Sequence, residues 1–369
     1  MKNFRQILLV AGARPNFMKL AGLYHRLKSD ERFDVKICHT GQHFDSNMSD
    51  VFWNSLKLPV PDYSLNIRAV GVASTIGETA AKLSSLLCEN EFDDVVVFGD
   101  VSGTAGAAIA AAHSSARLIH VEAGLRSFDR DMPEELNRIT VDHLSDLLLV
   151  SEQSGMENLH KEGIPSDRFY LVGNLMIECM LNTRSEWHTP QRTGSEAFGV
   201  CTFHRPENVD DEKALTILVD RVLEISELTP LVWPLHPRTR LRLDSFGLLR
   251  NLENSLGVTI TEPQGYLEFL NLVSASKFVL TDSGGIQEET SYLGKPCITV
   301  RKNTERPITL TLGTNRLLSL MADDFVSQVM RHVKHISEKV LEEIPYWDSL
   351  VSKRISDILA DGGCKSDNK

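Results

Sequence analysis

The sequence predicts an α/β protein of two Rossmann-like, doubly wound domains. Three observations predict it. Short apolar runs rich in β-branched residues alternate with helical stretches along the whole chain. Several of those runs end in polar, charge-bearing loops, and open α/β sheets bind ligands at the carboxyl ends of their strands. A length of 369 residues with 42% hydrophobic content suits about two globular domains.

Composition narrows the function class. The formal net charge of −11 argues against a nucleic-acid partner, although a local cluster of cations can still hold an anion. No apolar run is long enough to span a membrane. The N-terminal run Ile7–Ala11 is too short for a signal peptide and meets a glycine at once. The six cysteines form no C-x-x-C pair, so a disulfide framework or zinc site is not expected and a reducing cytoplasm fits. No metal is expected: His39 and His43 flank a glycine, but nothing else stands at ligand spacing.

In the first half, Ile7–Ala11 reads as a buried strand followed by Gly12-Ala13-Arg14-Pro15 and a helix to about Leu27. Pro15 suits a first helical turn. Arg14 and Lys19 then lie at a strand's carboxyl end, as phosphate partners or as solvated surface cations. Val35–Cys38 is a second strand, running into the polar loop 39–45. Ser74–Leu87 reads as a helix capped by Ser74 or Thr75 with Glu78 behind. Asp94–Phe98 is a strand, and Gly99-Asp100 closes it ahead of the small-residue helix Gly103–His113. Asp100 is an acid/base candidate or a helix cap. Arg117–Val121 is the next strand and ends at Glu122, where a carboxylate is costly unless paired or used. Pro133-Glu134-Glu135 opens a helix to about Leu144, where the two carboxylates can complement the helix dipole. Asp100, Glu122 and Glu134 together suggest an acid/base cluster, since crowded carboxylates raise one another's pKa toward neutrality. Asp146–Val150 is the last strand of this half.

The crossing to the second half is expected at Phe169–Asn174, giving domains 1–173 and 174–346. A polar stretch at 189–195 reads as a surface loop. Phe198–Phe203 is a strand, and His204-Arg205-Pro206 at its end repeats the design of the first half before the helix Glu212–Leu228. His204 is a candidate for acid/base or phosphate duty, or a capping histidine. Leu231–Leu235 ends in His236, and Val258–Thr261 leads to the turn that carries Tyr266. The strand Phe278–Leu280, the turn Ser283-Gly284-Gly285 and the helix behind it read as an anion site, or as a glycine-bearing β-α turn without a ligand; the cationic loop after the next strand favours the first. Helix N-termini present free N–H groups, and glycine lets a phosphate approach the backbone. Glu289, one turn on, is placed for a ribose diol. The strand Cys297–Val300 ends in the cationic loop that holds Arg306. Asp324–Leu341 and Trp347–Leu359 read as helices, with a frayed tail beyond. Neither G-x-G-x-x-G nor a P-loop occurs, which disfavours a nicotinamide dinucleotide and excludes a P-loop nucleotidase.

These motifs, in this order, resemble the non-hydrolysing UDP-N-acetylglucosamine 2-epimerases over nearly the whole chain. The resemblance rests on Gly12–Pro15 with Lys19, Gly99-Asp100, His120–Arg126, Pro133–Glu135 with Asn137-Arg138, His204-Arg205, Thr281–Glu289 and Thr304–Pro307. It implies the GT-B arrangement, with the ligand in a cleft between the domains and the helix at about 347–369 packed back on the first. It implies a homodimer, a UDP-sugar substrate and no cofactor. It also implies a chemistry: removal of the C2 proton, anti elimination of UDP to 2-acetamidoglucal, and re-addition with a proton delivered to the other face. Asp100, Glu122 and Glu134 then look like the acid/base carboxylates, joined by His204. Arg14 and Lys19 look like stabilisers of the departing diphosphate. Ser283, Gly284 and Gly285 look like its cradle, Glu289 the ribose contact, and Arg205, His236, Tyr266 and Arg306 further substrate contacts.

The chain departs from the family pattern in four places. Gly-Thr-Arg-Pro-Glu is Gly12-Ala13-Arg14-Pro15-Asn16. Val101–Thr104 replaces a threonine-rich run. Ile308 follows Thr304-Glu305-Arg306-Pro307. Phe44–Asn47 lacks the pattern by which many bacterial members hold a second substrate molecule as activator, although Gln42 is kept. The related substrate UDP-2,3-diacetamido-2,3-dideoxyglucuronate, a hydrolysing epimerase and a GT-B glycosyltransferase are the competing expectations.

Overall fold

The computed structural model describes residues 4–41, 53, 56–187 and 197–362. The expected loop features at 42–47 and 189–195, and the tail beyond 362, lie outside the described residues. The chain divides into two compact units, Met1–Asn182 with Pro345–Lys369, and Thr183–Ile344.

The first unit alternates strand and helix: β1 (Arg5–Ala11), α1 (Arg14–Lys28), β2 (Phe33–His39), β3 (Tyr63–Ser64), α2 (Val72–Glu89), β4 (Asp94–Phe98), α3 (Ser102–Ala112), β5 (Arg117–Ala123), α4 (Pro133–Leu144), β6 (Leu147–Val150), α5 (Gln153–Lys161), β7 (Phe169–Leu171) and α6 (Leu175–Asn182). Its seven strands pair in parallel in the order β3-β2-β1-β4-β5-β6-β7. The order reverses at β1 and β4, so their carboxyl ends form the switch point at which such sheets bind ligands. β4 is buried at every position, as a strand covered on both faces must be. Small residues in α3 bring it against α2: a Cβ on Gly106 would stand 2.5 Å from the Ile76 carbonyl oxygen.

The second unit holds β8 (Gly199–Thr202), α7 (Pro206–Val209), α8 (Glu212–Ser226), β9 (Leu231–Pro234), α9 (Pro237–Ser245), α10 (Leu249–Glu253), β10 (Val258–Thr261), α11 (Tyr266–Ala275), β11 (Phe278–Thr281), α12 (Gly284–Tyr292), β12 (Cys297–Thr299), α13 (Ile308–Thr311), β13 (Asn315–Leu317) and α14 (Phe325–Glu338). Its six parallel strands run β10-β9-β8-β11-β12-β13, switching at β8 and β11. Phe203, Trp233, Phe278 and Leu280 anchor its core. Two doubly wound parallel sheets are the architecture that the alternation predicted.

The chain then returns to the first unit as α15 (Val351–Ala360). Glu178 of α6 receives its first turn: the Ser352 backbone N–H donates to Glu178 Oε2 at 2.6 Å and the hydroxyl to Oε1 at 2.7 Å.

Several element boundaries differ from expectation. α2 starts at Val72 on Gly71, with no side-chain cap. Glu78 instead accepts the backbone N–H groups of Arg68 and Ala69, holding the incoming loop. The last helix starts at Val351, not Trp347, because a turn precedes it. The short elements β3, α5, α6, β13 and α13 had no strong periodic signal and were not anticipated. No helix among the described residues is long and apolar enough to cross a membrane.

Candidate active site

The first unit gathers its candidate groups at the switch point. Lys19, on α1, forms a buried ion pair with Glu122 at the end of β5. Glu122 has φ 73°, a left-handed conformation costly for a side chain bearing a Cβ. The register of β5 against β6 shifts at the same place, between Val121 and Ala123. This bulge turns the carboxylate away from the alternation of the strand. Gly99, also left-handed at φ 62°, closes β4 beside it. A Cβ there would stand 3.0 Å from Asn16 Oδ1, 3.4 Å from Lys19 Nζ and 3.5 Å from Glu122 Oε2. Glycine at 99 therefore gives the pair its room.

Asp100 follows and is held by α4. Asn137 Nδ2 donates to its carbonyl at 2.8 Å, and Arg138 Nε to its carboxylate at 2.9 Å. Arg138 also pairs with Glu135. The buried Glu135 accepts from the backbone of Ser127 and Phe128 and fixes the loop between β5 and α4. The expected acid Glu134 is half-buried on the first turn of α4. Asn137 and Arg138 lie three and four residues on, so Glu134 shares the helix face that reaches Asp100. Arg14 opens α1.

A layer beneath this cluster escaped sequence reasoning. His120 Nδ1 lies 2.7 Å from Asp142 Oδ1, and Nε2 lies 2.9 Å from the Gly99 carbonyl. Asp142 also receives Arg126, which pairs with Glu162. Burial opposes ionisation of Asp142, but His120 and Arg126 outweigh it and hold its pKa below the ordinary carboxylate range. The polar residues of α4 recur every four positions, at 134, 138 and 142, and that spacing was the available signal.

A cavity of about 440 Å³ opens beside the switch point, lined by Ala13, Thr40, Gly71, Thr79, Val101 and Gly103. The N-termini of α1, α2 and α3 border it, none with a side-chain cap. Uncapped helix N-termini attract negative charge.

The second unit gathers a different set at β8 and β11. Ser283 is the N-cap residue of α12 and makes no side-chain cap. A Cβ on Gly284 would press against Glu305 and Arg306, while Gly285 faces open space. The backbone at 283–285 is thus accessible from one side and buttressed from the other. Arg306 Nε stands 2.8 Å from Glu288 Oε1, and its guanidinium also pairs with Glu305, which Arg301 meets at 3.0 Å. Glu289 is buried beside the Tyr266 hydroxyl. Burial pushes its pKa up to about 8, aided by Glu288 and opposed by Tyr266.

His204 is partly exposed, and its ring centroid lies 5.3 Å from that of His236, with the planes tilted by 34°. His236 Nδ1 caps α9 by accepting the Arg238 N–H. Burial lowers the His204 pKa, as do Arg205 and Arg238, while Asp282 opposes them. Arg205 Nε donates to the Asp282 carbonyl. Asp282 itself, fully buried, had not been singled out. No cluster of His, Cys, Asp and Glu among the described residues could hold a metal.

The family model described as UDP-N-acetylglucosamine 2-epimerase matches residues 25–360. The chain belongs to the UDP-N-acetylglucosamine 2-epimerase family. The UDP-N-acetylglucosamine 2-epimerase of Methanococcus maripaludis is 34% identical over 354 residues, covering 93% of this chain and 94% of that one. The UDP-2,3-diacetamido-2,3-dideoxy-D-glucuronate 2-epimerase of Pseudomonas aeruginosa is 37% identical over 325 residues, covering 87% and 90%. The crystal structure of the Methanocaldococcus jannaschii UDP-GlcNAc 2-epimerase in complex with UDP-GlcNAc and UDP superposes with a TM-score of 0.87 at 34% identity, covering 97% of this chain and 100% of that one. A lipopolysaccharide outer core galactosyltransferase, 14% identical with a TM-score of 0.54, shares the fold alone. The protein is thus an epimerase-family enzyme on a GT-B-like pair of Rossmann-like domains.

Proposed function

We propose that the protein interconverts UDP-N-acetylglucosamine and UDP-N-acetylmannosamine without hydrolysis. The observation that carries this reading is the Lys19–Glu122 pair packed against Gly99, the residue before Asp100. Epimerisation at C2 needs a base on one face of the sugar and an acid on the other. Here two carboxylates, Glu122 and Asp100, end adjacent parallel strands, each with its own cation, Lys19 and Arg138. The Glu122 carboxylate is buried and that of Asp100 partly exposed, so the two meet a substrate from different surroundings. Which of them takes the C2 proton is left open; Glu134 is the third candidate.

In this reading a carboxylate removes the C2 proton, its electron pair forms the C1–C2 double bond, and the C1–oxygen bond to UDP breaks. UDP then adds back to C1 as C2 receives a proton on the opposite face. The balance is redox-neutral, so no oxidant or reductant is consumed. Ser283, Gly284 and Gly285 receive the diphosphate at the α12 N-terminus. Glu289 receives the ribose. Arg205 and Arg306 supply positive charge as the diphosphate leaves, and His204 with His236 serves the same leaving group. Tyr266 orients Glu289.

One observation favours a second substrate, the 2,3-diacetamido uronate. The cavity bordered by three uncapped helix N-termini suits a C6 carboxylate.

Incubation with UDP-N-acetylglucosamine in D2O, followed by proton NMR, tests the proposal. Deuterium at C2 with a growing UDP-N-acetylmannosamine signal is the expected result. Free N-acetylmannosamine with accumulating UDP identifies a hydrolysing enzyme instead. Exchange with the diacetamido uronate alone transfers the reading to that sugar.

A further inference from the structure

Asp282 stands at the junction of the two loops that end β8 and β11. It is fully buried, and among the described residues no Lys or Arg side chain forms a salt bridge with its carboxylate. Its oxygens instead accept the backbone N–H of His204 at 3.1 Å, the backbone N–H of Arg205 at 2.9 Å and the Asn208 side-chain amide at 3.0 Å. Oδ1 also lies 3.3 Å from His204 Nδ1. The main chain of the same residue accepts Arg205 Nε at 3.1 Å. Residue 282 thus ties down the His204-Arg205 turn while its successor, Ser283, begins the α12 cradle. Asn208 adds a second tie, donating to the Val300 carbonyl at the end of β12.

A buried carboxylate needs donors for its oxygens. Three N–H groups meet that need here, and the imidazole is the one partner able to carry a full charge. A carboxylate beside one ring nitrogen fixes the tautomer and leaves the other nitrogen as proton acceptor. We propose that Asp282 is a positioning residue that holds the Nδ1–H edge of His204, so that Nε2 faces the departing diphosphate and, once protonated, donates to it. The same carboxylate keeps that turn in register with the Ser283–Gly285 cradle. The proposal rests on His204 serving the reaction described above, and deepens that reading.

Among the described residues, the charged and titratable groups set against His204 are Asp282, Arg205, Arg238 and His236. Asp282 favours the imidazolium; Arg205 on the same turn and Arg238 on α9 disfavour it. His236 lies beside the ring, and its own Nδ1 accepts an N–H in the α9 cap. Asp282 is therefore the one favourable charge among the described residues, and its removal moves the His204 titration to lower pH.

The test is 15N-detected histidine NMR on the full chain, with His204→Gln assigning the resonance. Neutral His204 in the unaltered protein should show a protonated Nδ1 and a bare Nε2, and its midpoint should move to lower pH in Asp282→Asn. A protonated Nε2, or an unmoved midpoint, overturns the proposal. Kinetics add a second readout. Asp282→Asn should lower kcat at least about tenfold, move the pH limb due to His204 downward and leave KM little changed. In the His204→Gln background it should cost little more. An equal loss in both backgrounds reduces Asp282 to a scaffold residue and overturns the role. If Asp282→Asn does not fold, the tautomer in the unaltered protein still decides. The NMR arms do not depend on turnover, so they separate failure of this inference from failure of the epimerase reading.

Discussion

Lys19 and Glu122 are both nearly buried, and each is the other's compensation. Removing one partner of a buried pair leaves an uncompensated charge, which costs about 3–5 kcal/mol. Lys19→Met should therefore lower the urea midpoint by that equivalent, while Lys19→Met with Glu122→Gln should recover much of the loss. A double-mutant cycle by equilibrium unfolding reads this directly, and additive losses would refute the coupling. Glu289 carries a different prediction. Its folded pKa, raised to about 8 by burial, exceeds that of the unfolded chain. The folded protein then binds the extra proton, so this contribution is present below the ordinary carboxyl range and is lost as pH rises through about 8. Glu289→Gln should flatten the fall in stability over that window, measured as Tm against pH without nucleotide. At this scale Arg14, Lys19, Glu122 and Ser283–Gly285 were legible because their strand-end positions are local features. Asp282, His120 and Asp142 were not, because their roles arise from partners 16 or more residues away.

Among the elements, α15 depends on a single distant cap. Glu178 accepts both the N–H and the hydroxyl of Ser352, and burial raises its pKa, with the Ser352 bonds opposing. Ser352→Ala loses the hydroxyl bond and keeps the backbone one, so it should cost about 1 kcal/mol, the ordinary net value of a hydrogen bond. Glu178→Ala should cost more, since it also empties a buried site. Thermal unfolding of the two variants checks the order, and a larger loss for Ser352→Ala would contradict it. Helix periodicity located this last element, but its start was misplaced by four residues. Trp347 is buried and apolar, and extends the helical pattern backward. The chain there turns instead, with Tyr346 at φ 64°. α2 was displaced the other way, because Glu78 was needed by the preceding loop and Gly71 began the helix without a side-chain cap.

On the scale of the whole molecule, each unit has its own sheet and its own core. The nucleotide candidates Ser283–Gly285, Glu289, Arg306, Tyr266, His204 and His236 all belong to the unit Thr183–Ile344, which is continuous in sequence. A domain with its own core can fold alone. Residues 183–344 expressed by themselves should therefore fold cooperatively and bind UDP in calorimetry, with no turnover of the sugar nucleotide. Failure to bind while folded would place the diphosphate grip elsewhere. The first unit makes no such prediction for a single fragment, because α15 reaches it from the far end of the chain.

The sequence by itself determined the fold class and the order of the strand-end loops. Both follow from short-range patterns: apolar runs of strand length, glycine turns and helix starts. It also determined the family, since the motifs are long and ordered. Tertiary structure decided which carboxylates are paired and which stand half-open, and where the buried counter-charges lie. It decided that Glu122 is bent out of its strand by a bulge and that Glu135, not Glu134, anchors the loop. It also decided that Asp282 sits behind His204. The physical reason is that ionisation and orientation depend on burial and on partners brought together only when parallel strands align, and neither is written in the local sequence.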